Sequence, residues 1–230
     1  MVAAVVFDFD GVVLDSETPE FEAHRRIFER HGLCLTPGEW CDQIGLWSDG
    51  YEDRWFTRLC EQAANAPDRA AFDAEKRRLF RTLVPPEPMR GIRDLLDVLA
   101  AESIPAAIAS SSPSRWVVPA VERLGLAGRF QAIVTGTDVE RRKPAPDGYL
   151  EAARRIGAEP SRSVAVEDSA PGVAAARAAG MKTVAIPHWL TAGHDLAAAD
   201  LMLAHAGELT LERLERLCGP IGRRGDSSAR

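Results

Sequence analysis

The sequence predicts an α/β protein with a doubly wound parallel sheet and an all-helical cap inserted after the first strand. Two observations indicate this fold. From residue 90 onward, short apolar runs alternate with amphipathic segments of about ten residues, which is the pattern of βαβ units. Between the first apolar run, Val2–Val6, and residue 90, the pattern is helical and contains no strand. Parallel sheets of this kind bind ligands at the carboxyl ends of their strands, so those ends are the candidate functional positions.

The first predicted strand is Val2–Val6, which is short, uncharged and rich in β-branched residues. It leads into Phe7-Asp8-Phe9-Asp10-Gly11. Strand side chains alternate with a period of two, so Asp8 and Asp10 are expected to leave the strand on one face. Two close carboxylates repel each other, and a cation between them would relieve the repulsion. A lone Asp-x-Asp-Gly is more often an ordinary strand end with a turn, so this motif needs support from elsewhere in the chain.

Residues 15–89 are predicted to form the cap, because their pattern is helical and ends in the proline-rich run 85–88. Thr18-Pro19-Glu20 predicts a helix with Thr18 as its N-cap and a proline and an acid in its first turn. Thr36-Pro37-Gly38-Glu39 predicts a second helix that starts with a capping box. Two further amphipathic helices are predicted at Tyr51–Ala64 and Arg69–Leu83.

Residues 1–14 and 90–218 are predicted to form the α/β core, a Rossmann-like arrangement of βαβ units. Residues 219–230 are polar and are predicted to be a disordered tail. The predicted core helices are Gly91–Ala101, Arg115–Leu124, Asp147–Ile156, Pro171–Ala179 and Leu211–Leu217. The predicted strands after the cap are Ile104–Ala109, Ala132–Thr135, Ser163–Val166, Thr183–Ile186 and a short last strand, Asp200–Leu203.

Composition and charge exclude several classes of function. The chain has 230 residues, of which 46% are hydrophobic and 27% charged, and this is ordinary globular composition. A net charge of −6 argues against a general nucleic-acid partner, which would need a basic face. No apolar run approaches the roughly 20 residues of a membrane helix, and the first run is too short for a signal peptide, so a cytoplasmic protein without a membrane partner is expected. The four cysteines form no Cys-x-x-Cys pair and are predicted to be reduced, mostly buried thiols: Cys34, Cys41, Cys60 and Cys218.

Three more polar sites follow three other predicted strands. Ser110-Ser111-Ser112-Pro113 is typical of a helix N-cap, but hydroxyls and free amides at a helix start also form a good phosphate site. Lys143 lies in a loop stiffened by Pro144 and Pro146, and is either a solvated basic residue or a cation at the sheet edge. Glu167-Asp168-Ser169 ends a fourth strand and is either a polar terminus or a second pair of acids. Taken together, they place acids, hydroxyls and a lysine at one edge of a parallel sheet.

With these four motifs in this order, the chain resembles the haloacid dehalogenase-like superfamily of phosphotransferases. Within it, the chain is similar to the subgroup that contains β-phosphoglucomutase and the sugar-phosphate phosphatases, whose helical cap follows the first strand. The resemblance extends from Val2 to about Leu217 and is carried by residues 8–17, 143–147 and 167–169. It implies a Mg²⁺-dependent phosphatase that hydrolyses a small phosphorylated metabolite, such as a sugar phosphate, through an aspartyl-phosphate intermediate.

The resemblance also implies a role for each matching residue. Asp8 is the nucleophile that forms the aspartyl phosphate, and Asp10 is the general acid and base. Ser110 and Lys143 hold the transferring phosphoryl group. Asp168 binds Mg²⁺ directly, Glu167 holds a metal-bound water, and Asp10 contributes its backbone carbonyl. The implied metal-binding set is Asp8, Asp10, Glu167 and Asp168.

Substrate choice in this family is set by the cap. Lys76, in Lys76-Arg77-Arg78-Leu79-Phe80, matches the family's Lys-x-x-x-Tyr/Phe position, although a solvated helical lysine explains it equally well. The implied mechanism requires no histidine, so His188 and His194 are expected to be surface or loop residues. The predicted substrate-binding residues are Glu17, Lys76 and Ser111.

Two departures separate the chain from the phosphosugar mutases. The mutase pattern has a histidine where this chain has Glu20, and an arginine in the loop that here reads Gly45-Leu46-Trp47-Ser48-Asp49. The missing cations favour a hydrolase, with a mutase as the alternative. A catalytically idle binding fold is an alternative of another class, and the intact set of predicted catalytic residues argues against it. The sequence leaves the substrate's identity open, and the protein is expected to be a monomer or a weak homodimer.

Overall fold

The computed structural model describes residues 2–44 and 51–219. In these residues it contains strands and α-helices in the predicted alternation. The strands are β1 (Ala4–Phe7), β2 (Ala106–Ala109), β3 (Ala132–Val134), β4 (Ser163–Glu167), β5 (Lys182–Ala185) and β6 (Leu201–Met202). The helices are α1 (Glu17–Arg30), α2 (Pro37–Cys41), α3 (Tyr51–Gln62), α4 (Arg69–Leu83), α5 (Ile92–Ala101), α6 (Ser114–Arg123), α7 (Asp147–Ile156), α8 (Ala170–Ala178) and α9 (Leu211–Cys218). Single turns of 3₁₀ helix lie at Pro160–Arg162, Trp189–Thr191 and Ala206–Glu208.

All six strands form one parallel sheet in the order β3-β2-β1-β4-β5-β6, which confirms the predicted α/β fold. The first strand lies at the centre, with Val6 opposite Ala107 of β2 and Ala165 of β4. Because helices cover both faces of such a sheet, all four residues of β1 are buried. The carboxyl ends of β2, β1 and β4 are therefore neighbours, and the polar residues that follow these strands meet at one edge.

Helices α1 to α4 follow β1 and pack around a hydrophobic core of their own. The indole rings of Trp40 and Trp55 stack there with centroids 5.5 Å apart. The predicted capping box of α2 is confirmed, since Thr36 Oγ1 accepts a hydrogen bond from the Glu39 amide. Thr18 as the N-cap of α1 is wrong: α1 begins at Glu17, and the Thr18 amide donates to Asp15 Oδ1 at 2.9 Å. The carboxylate three residues upstream thus satisfies the first-turn amide.

The chain enters and leaves these four helices at one place. The Met89 amide donates to the Val13 carbonyl at 2.9 Å, so the two connecting segments lie side by side. The helices also contact the core at several points. Leu190 of the core packs into their hydrophobic cluster, and the Phe80 ring of α4 lies edge-on against the Trp116 ring of α6. The domain boundaries drawn from the sequence stay predictions.

Expectations about individual side chains have mixed outcomes. None of the four cysteines forms a disulfide, but the expectation that they are mostly buried is wrong, because Cys34 and Cys60 are exposed and Cys41 and Cys218 are partly exposed. His188 is a loop residue, as expected, but it is only 5% exposed, and its Nε2 lies 3.2 Å from Asp15 Oδ1. No helix among residues 2–44 and 51–219 is long and apolar enough to cross a membrane. The predicted mutase-distinguishing loop at 45–49 and the predicted tail, apart from Gly219, lie outside the described residues.

Candidate active site

Lys143 lies between two acids at the carboxyl edge of the sheet. Asp8 directly follows β1, Glu167 ends β4, and Lys143 comes from the loop between β3 and α7. The Lys143 ammonium contacts Asp8 Oδ1 and lies 2.6 Å from Glu167 Oε1. All three side chains are buried, so the interpretation of Lys143 as a solvated turn residue is wrong. A lysine is buried at this depth only when it is paired, and here two carboxylates share it.

Glu167 is held on both of its oxygens. Besides Lys143, its Oε1 accepts the Tyr149 hydroxyl at 2.5 Å, and its Oε2 accepts the Ser169 hydroxyl at 3.3 Å. Burial and the nearby negative charge of Glu167 raise the pKa of Tyr149 well above its usual value, so the hydroxyl keeps its proton and donates. Gly172 packs directly against this carboxylate, because a Cβ there would lie 2.0 Å from its oxygens. Glu167 is therefore fixed in one orientation.

Asp168 has an oxygen with no partner. Its Oδ2 is buried and accepts no hydrogen bond. Carboxylate oxygens of Asp8, Glu167 and Asp168 lie within 4.8 Å of one another, which is close enough to share one metal ion. Gly11 makes room for this arrangement: its φ is +81°, and a Cβ there would lie 2.4 Å from Asp168 Oδ2. An unsatisfied buried carboxylate oxygen is costly, and a bound cation would satisfy it.

The charges in this cluster do not balance. Burial raises the pKa of Asp168 well above its usual value, and the negative charges of Glu167 and Asp8 add a smaller increase. Burial also raises the pKa of Asp8, although Lys143 opposes the shift. Burial alone would lower the pKa of Lys143, but the two carboxylates beside it hold the pKa above its usual range, so the ammonium stays charged. Three neighbouring carboxylates, only two of which contact the one ammonium, fit a divalent cation, which would favour their ionised forms.

Asp10 lies outside this cluster of three and is bound by four donors. Its Oδ1 accepts the Ser16 hydroxyl at 2.5 Å and the Trp116 indole N–H at 2.9 Å. Its Oδ2 accepts the Ser112 hydroxyl at 2.7 Å and the Ser110 hydroxyl at 3.3 Å. The side chain is therefore oriented separately from the acids that could bind a metal, and the metal contact of the Asp10 backbone carbonyl stays a prediction.

The serine motif does not cap the next helix. The N-cap position of α6 is Pro113, and no side chain caps it. Ser110 and Ser112 instead face Asp10, while the Ser111 hydroxyl is buried without a partner. Of the two interpretations left open by the sequence, the helix N-cap is wrong. The hydroxyls face the candidate site, and their role in binding phosphate stays a prediction.

A pocket of about 360 Å³ opens above these residues, between the core and the cap. The core contributes Asp8, Asp10, Ser110, Ser111, Lys143 and Asp168 to its lining. The cap contributes Glu17, Glu20, Gln43, Lys76 and Phe80. All three predicted substrate-binding residues thus line it. Desolvation, together with the charge of Asp10, raises the pKa of Glu17 to about 8, and the Lys76 ammonium lies 3.4 Å from Glu20 Oε1.

Several residues of this site have no role in the sequence-based prediction. Tyr149 and Trp116 lie on helices at positions spaced like core residues, and their polar ends meet acids from distant segments. A buried tyrosine hydroxyl or indole N–H usually has a partner, which is the one signal available in the sequence. Ser112 belongs to the serine motif, but its hydrogen bond to Asp10 is not predicted from the sequence. Gln43 is 4% exposed, lines the pocket, and has no partner for its amide nitrogen or its amide oxygen.

Comparisons with known proteins agree with this geometry. The sequence profile described as haloacid dehalogenase-like hydrolase matches residues 2–180. The YhcW protein of Bacillus subtilis (strain 168) is 37% identical over 83% of this chain and 86% of its own length. The phosphorylated carbohydrates phosphatase of Thermotoga maritima is 32% identical over 84% of this chain and 89% of its own length.

A solved structure shares the whole architecture. CbbY from Rhodobacter sphaeroides, crystallised in complex with phosphate, is 27% identical and superposes with a TM-score of 0.73. The alignment covers 94% of this chain and 100% of CbbY. The profile match spans well over half of the chain, and the Thermotoga relative exceeds 30% identity over most of it. The resemblance inferred from the motifs is confirmed, and the chain belongs to the haloacid dehalogenase-like hydrolase family.

Proposed function

We propose that the chain is a Mg²⁺-dependent phosphatase that hydrolyses a small phosphorylated metabolite through an aspartyl phosphate on Asp8. The proposed substrate class is a sugar phosphate. One observation carries the proposal. The buried Lys143 ammonium holds Asp8 beside a second acid, Asp168, whose free oxygen faces the same space. A carboxylate so placed can attack phosphorus where positive charge can neutralise the phosphate. The Thermotoga relative, named for phosphorylated carbohydrates, supports the substrate class.

The acid cluster fits Mg²⁺, because its donors are all carboxylate oxygens and one of them is unsatisfied. Asp8 and Asp168 would hold the ion, with Glu167 acting through water and Asp10 through its backbone carbonyl. When bound, Mg²⁺ supplies positive charge that offsets the repulsion between carboxylate and phosphate.

The residues of the chain then perform two displacements. Ionised Asp8 attacks phosphorus, the bond from phosphorus to the leaving oxygen breaks, and Asp10 gives that oxygen its proton. In the second step Asp10 takes a proton from water, the water oxygen bonds to phosphorus, and the bond to Asp8 breaks. Inorganic phosphate leaves and Asp8 is restored. Lys143 stays protonated throughout and balances charge on the phosphoryl group, while Ser110 positions it.

Unsatisfied polar groups in the pocket support a substrate that carries hydroxyls. The Gln43 amide offers a donor and an acceptor, and Ser111 offers a hydroxyl, all buried and without protein partners. Such groups cost free energy until a ligand pairs with them. Sugar hydroxyls both donate and accept, so they match this lining. Glu20, which stands where the mutase pattern has histidine, pairs with Lys76 and adds no cation, and so gives the mutase no support.

The test is a screen of purified protein against phosphorylated metabolites, with and without Mg²⁺, measuring inorganic phosphate. We expect steady phosphate release from a sugar phosphate without a bisphosphate activator, and loss of activity in excess chelator. Asp8→Asn should abolish it, since an amide is a far weaker nucleophile, and Asp10→Asn should cost roughly 10²–10⁴-fold. Asp94→Asn, an exposed change on α5, is the matched control.

Other outcomes identify the alternatives. Isomerised sugar phosphate without free phosphate identifies a mutase. A folded protein that turns over nothing in a broad panel with Mg²⁺ identifies a binding fold. Full activity in excess chelator contradicts the metal dependence. Mass spectrometry of Asp8 after rapid quenching tests the phosphorylated intermediate directly.

A further inference from the structure

We infer that Trp116 is a positioning residue that orients Asp10 and makes this orientation depend on the position of the cap. This inference rests on the proposed role of Asp10 as general acid and base. The indole N–H of Trp116 donates to Asp10 Oδ1 at 2.9 Å. The same indole ring lies edge-on to the ring of Phe80, with centroids 5.1 Å apart. Trp116 belongs to core helix α6, and Phe80 belongs to cap helix α4.

Trp116 differs in kind from the other donors to Asp10. The remaining three are serine hydroxyls, which rotate freely and can accept as well as donate. Ser110 is also the proposed phosphate ligand, so its hydroxyl would turn away from Asp10 when substrate binds. An indole N–H only donates, and its direction is set by the ring. Trp116 is therefore the donor that keeps Asp10 oriented once substrate occupies the pocket.

The ring of Trp116 is held from two sides. Phe9 of the core lies edge-on to it at 6.3 Å, and Phe80 of the cap lies edge-on at 5.1 Å. Edge-to-face aromatic pairs of this kind favour one orientation of each ring. The core wall is fixed by the central strand, because Phe9 follows β1 and is fully buried. Phe80 moves with α4, so displacement of the cap would remove one of the two aromatic rings that orient the indole. Asp10 would then be well oriented only while the cap covers the pocket.

The closing experiment compares two esters of similar shape. Phenyl phosphate releases a basic phenolate that needs a proton from the general acid, whereas 4-nitrophenyl phosphate releases a weakly basic one that does not. The ratio of kcat/KM for the nitrophenyl ester to kcat/KM for the phenyl ester therefore rises when the contribution of the general acid is lost. Trp116→Phe keeps a ring between Phe9 and Phe80 but removes the N–H. We expect this ratio to rise about tenfold, part of the roughly 10²–10⁴-fold that a general acid supplies.

Two further variants test the link to the cap. Phe80→Leu leaves the indole N–H in place but removes its aromatic wall, and should raise the ratio in the same direction by a smaller factor. Because both changes act through one bond, the double variant should be no worse than Trp116→Phe alone. Trp189→Phe is the matched control: it also removes an indole N–H, which here donates to Thr18 at 2.8 Å, and should leave the ratio unchanged.

The inference is overturned if the kcat/KM ratio of Trp116→Phe stays within twofold of the wild-type ratio. This includes the case in which the variant loses the same factor in kcat/KM on both esters. Crystal structures of the wild type and of Trp116→Phe with inorganic phosphate bound add a readout without turnover: we expect the Asp10 carboxylate to rotate in the variant, and an unchanged carboxylate contradicts the inference. Failure of the wild type to hydrolyse either ester contradicts the proposed function instead, and the crystallographic comparison still decides the role of Trp116.

Discussion

The carboxylate of Asp15 lies 3.2 Å from the imidazole Nε2 of His188, and joins the segment that enters the cap to the loop that follows β5. Asp15 also accepts the amide of Thr18 at the start of α1. Partial burial alone would raise the pKa of Asp15, but the hydrogen bonds from His188 and Thr18 outweigh it and lower the pKa. The Asp15 carboxylate therefore satisfies an amide in the first turn of α1 and links this helix to the core.

We expect Asp15→Asn to lower the free energy of unfolding near pH 7 by about 1 kcal/mol. The asparagine side chain can still accept the Thr18 amide at the start of α1, but it carries no negative charge. A lowered folded-state pKa stabilises the fold above the ordinary Asp value, and this contribution disappears as pH falls through the folded pKa. The difference from wild type should therefore shrink below about pH 4. Urea unfolding across pH measures it, with Asp94→Asn as control; a difference that stays constant down to the lowest pH contradicts this assignment.

Asp168→Asn should separate stability from metal binding. Without metal, the variant should melt at the same temperature as wild type or higher, because one of three crowded buried carboxylates loses its charge. Mg²⁺ at about 100 times its Kd should stabilise the wild type by about 2.7 kcal/mol and the variant far less. Thermal melts with and without Mg²⁺ measure both effects. Glu61→Gln, which removes an exposed acid, is the control, and an equal Mg²⁺ shift in wild type and Asp168→Asn would exclude the proposed metal site.

Tyr149→Phe should reveal the hydrogen bond that orients Glu167. The hydroxyl donates to a buried carboxylate at 2.5 Å, and a bond to a charged acceptor contributes about 1.5–3 kcal/mol. We expect a loss of that size in the free energy of unfolding, measured in urea. Combining it with Glu167→Gln tests the pairing, because contacting residues give non-additive losses. Strictly additive losses would mean that Tyr149 acts elsewhere.

Gln43→Leu should impair recognition of the sugar rather than phosphoryl transfer. Its amide is buried and unpartnered in the pocket, so the change should be neutral or stabilising in the free protein. With a sugar phosphate we expect KM to rise about tenfold, the equivalent of about 1.4 kcal/mol of lost hydrogen bonding. Hydrolysis of 4-nitrophenyl phosphate should stay unchanged. Gln62→Leu, on the outer surface of α3, is the control; parallel changes on both esters would show that Gln43 only packs the cap.

The residues at strand ends could be predicted from the sequence. Asp8 and Asp168 each directly follow a buried strand, and parallel topology brings the ends of such strands to one edge, which Lys143 reaches from the loop after β3. The alternation of strands and helices predicts a parallel sheet, but the order that places β1 beside β4 comes from the structure.

Residues whose role depends on helix packing could not be predicted in this way. Trp116 and Tyr149 are spaced like core residues, and only the docking of α6 and α7 brings their polar ends to Asp10 and Glu167. The start of α1 shows a local version of the same limit, because the Thr18 hydroxyl lies near His188 and Trp189 of the core instead of capping the helix, while Asp15 accepts the Thr18 amide.

The hydrogen bond from the Met89 amide to the Val13 carbonyl makes the cap an interchangeable module. The two ends of the inserted segment are held side by side by this hydrogen bond. A change in the length of the cap should therefore alter the entropy of loop closure only slightly and should not shift the register of the sheet. We therefore expect that specificity can change by exchange of the segment between these two residues, provided that Ser16 is kept as a donor to Asp10, while the strand before the proposed nucleophile Asp8 keeps its central place.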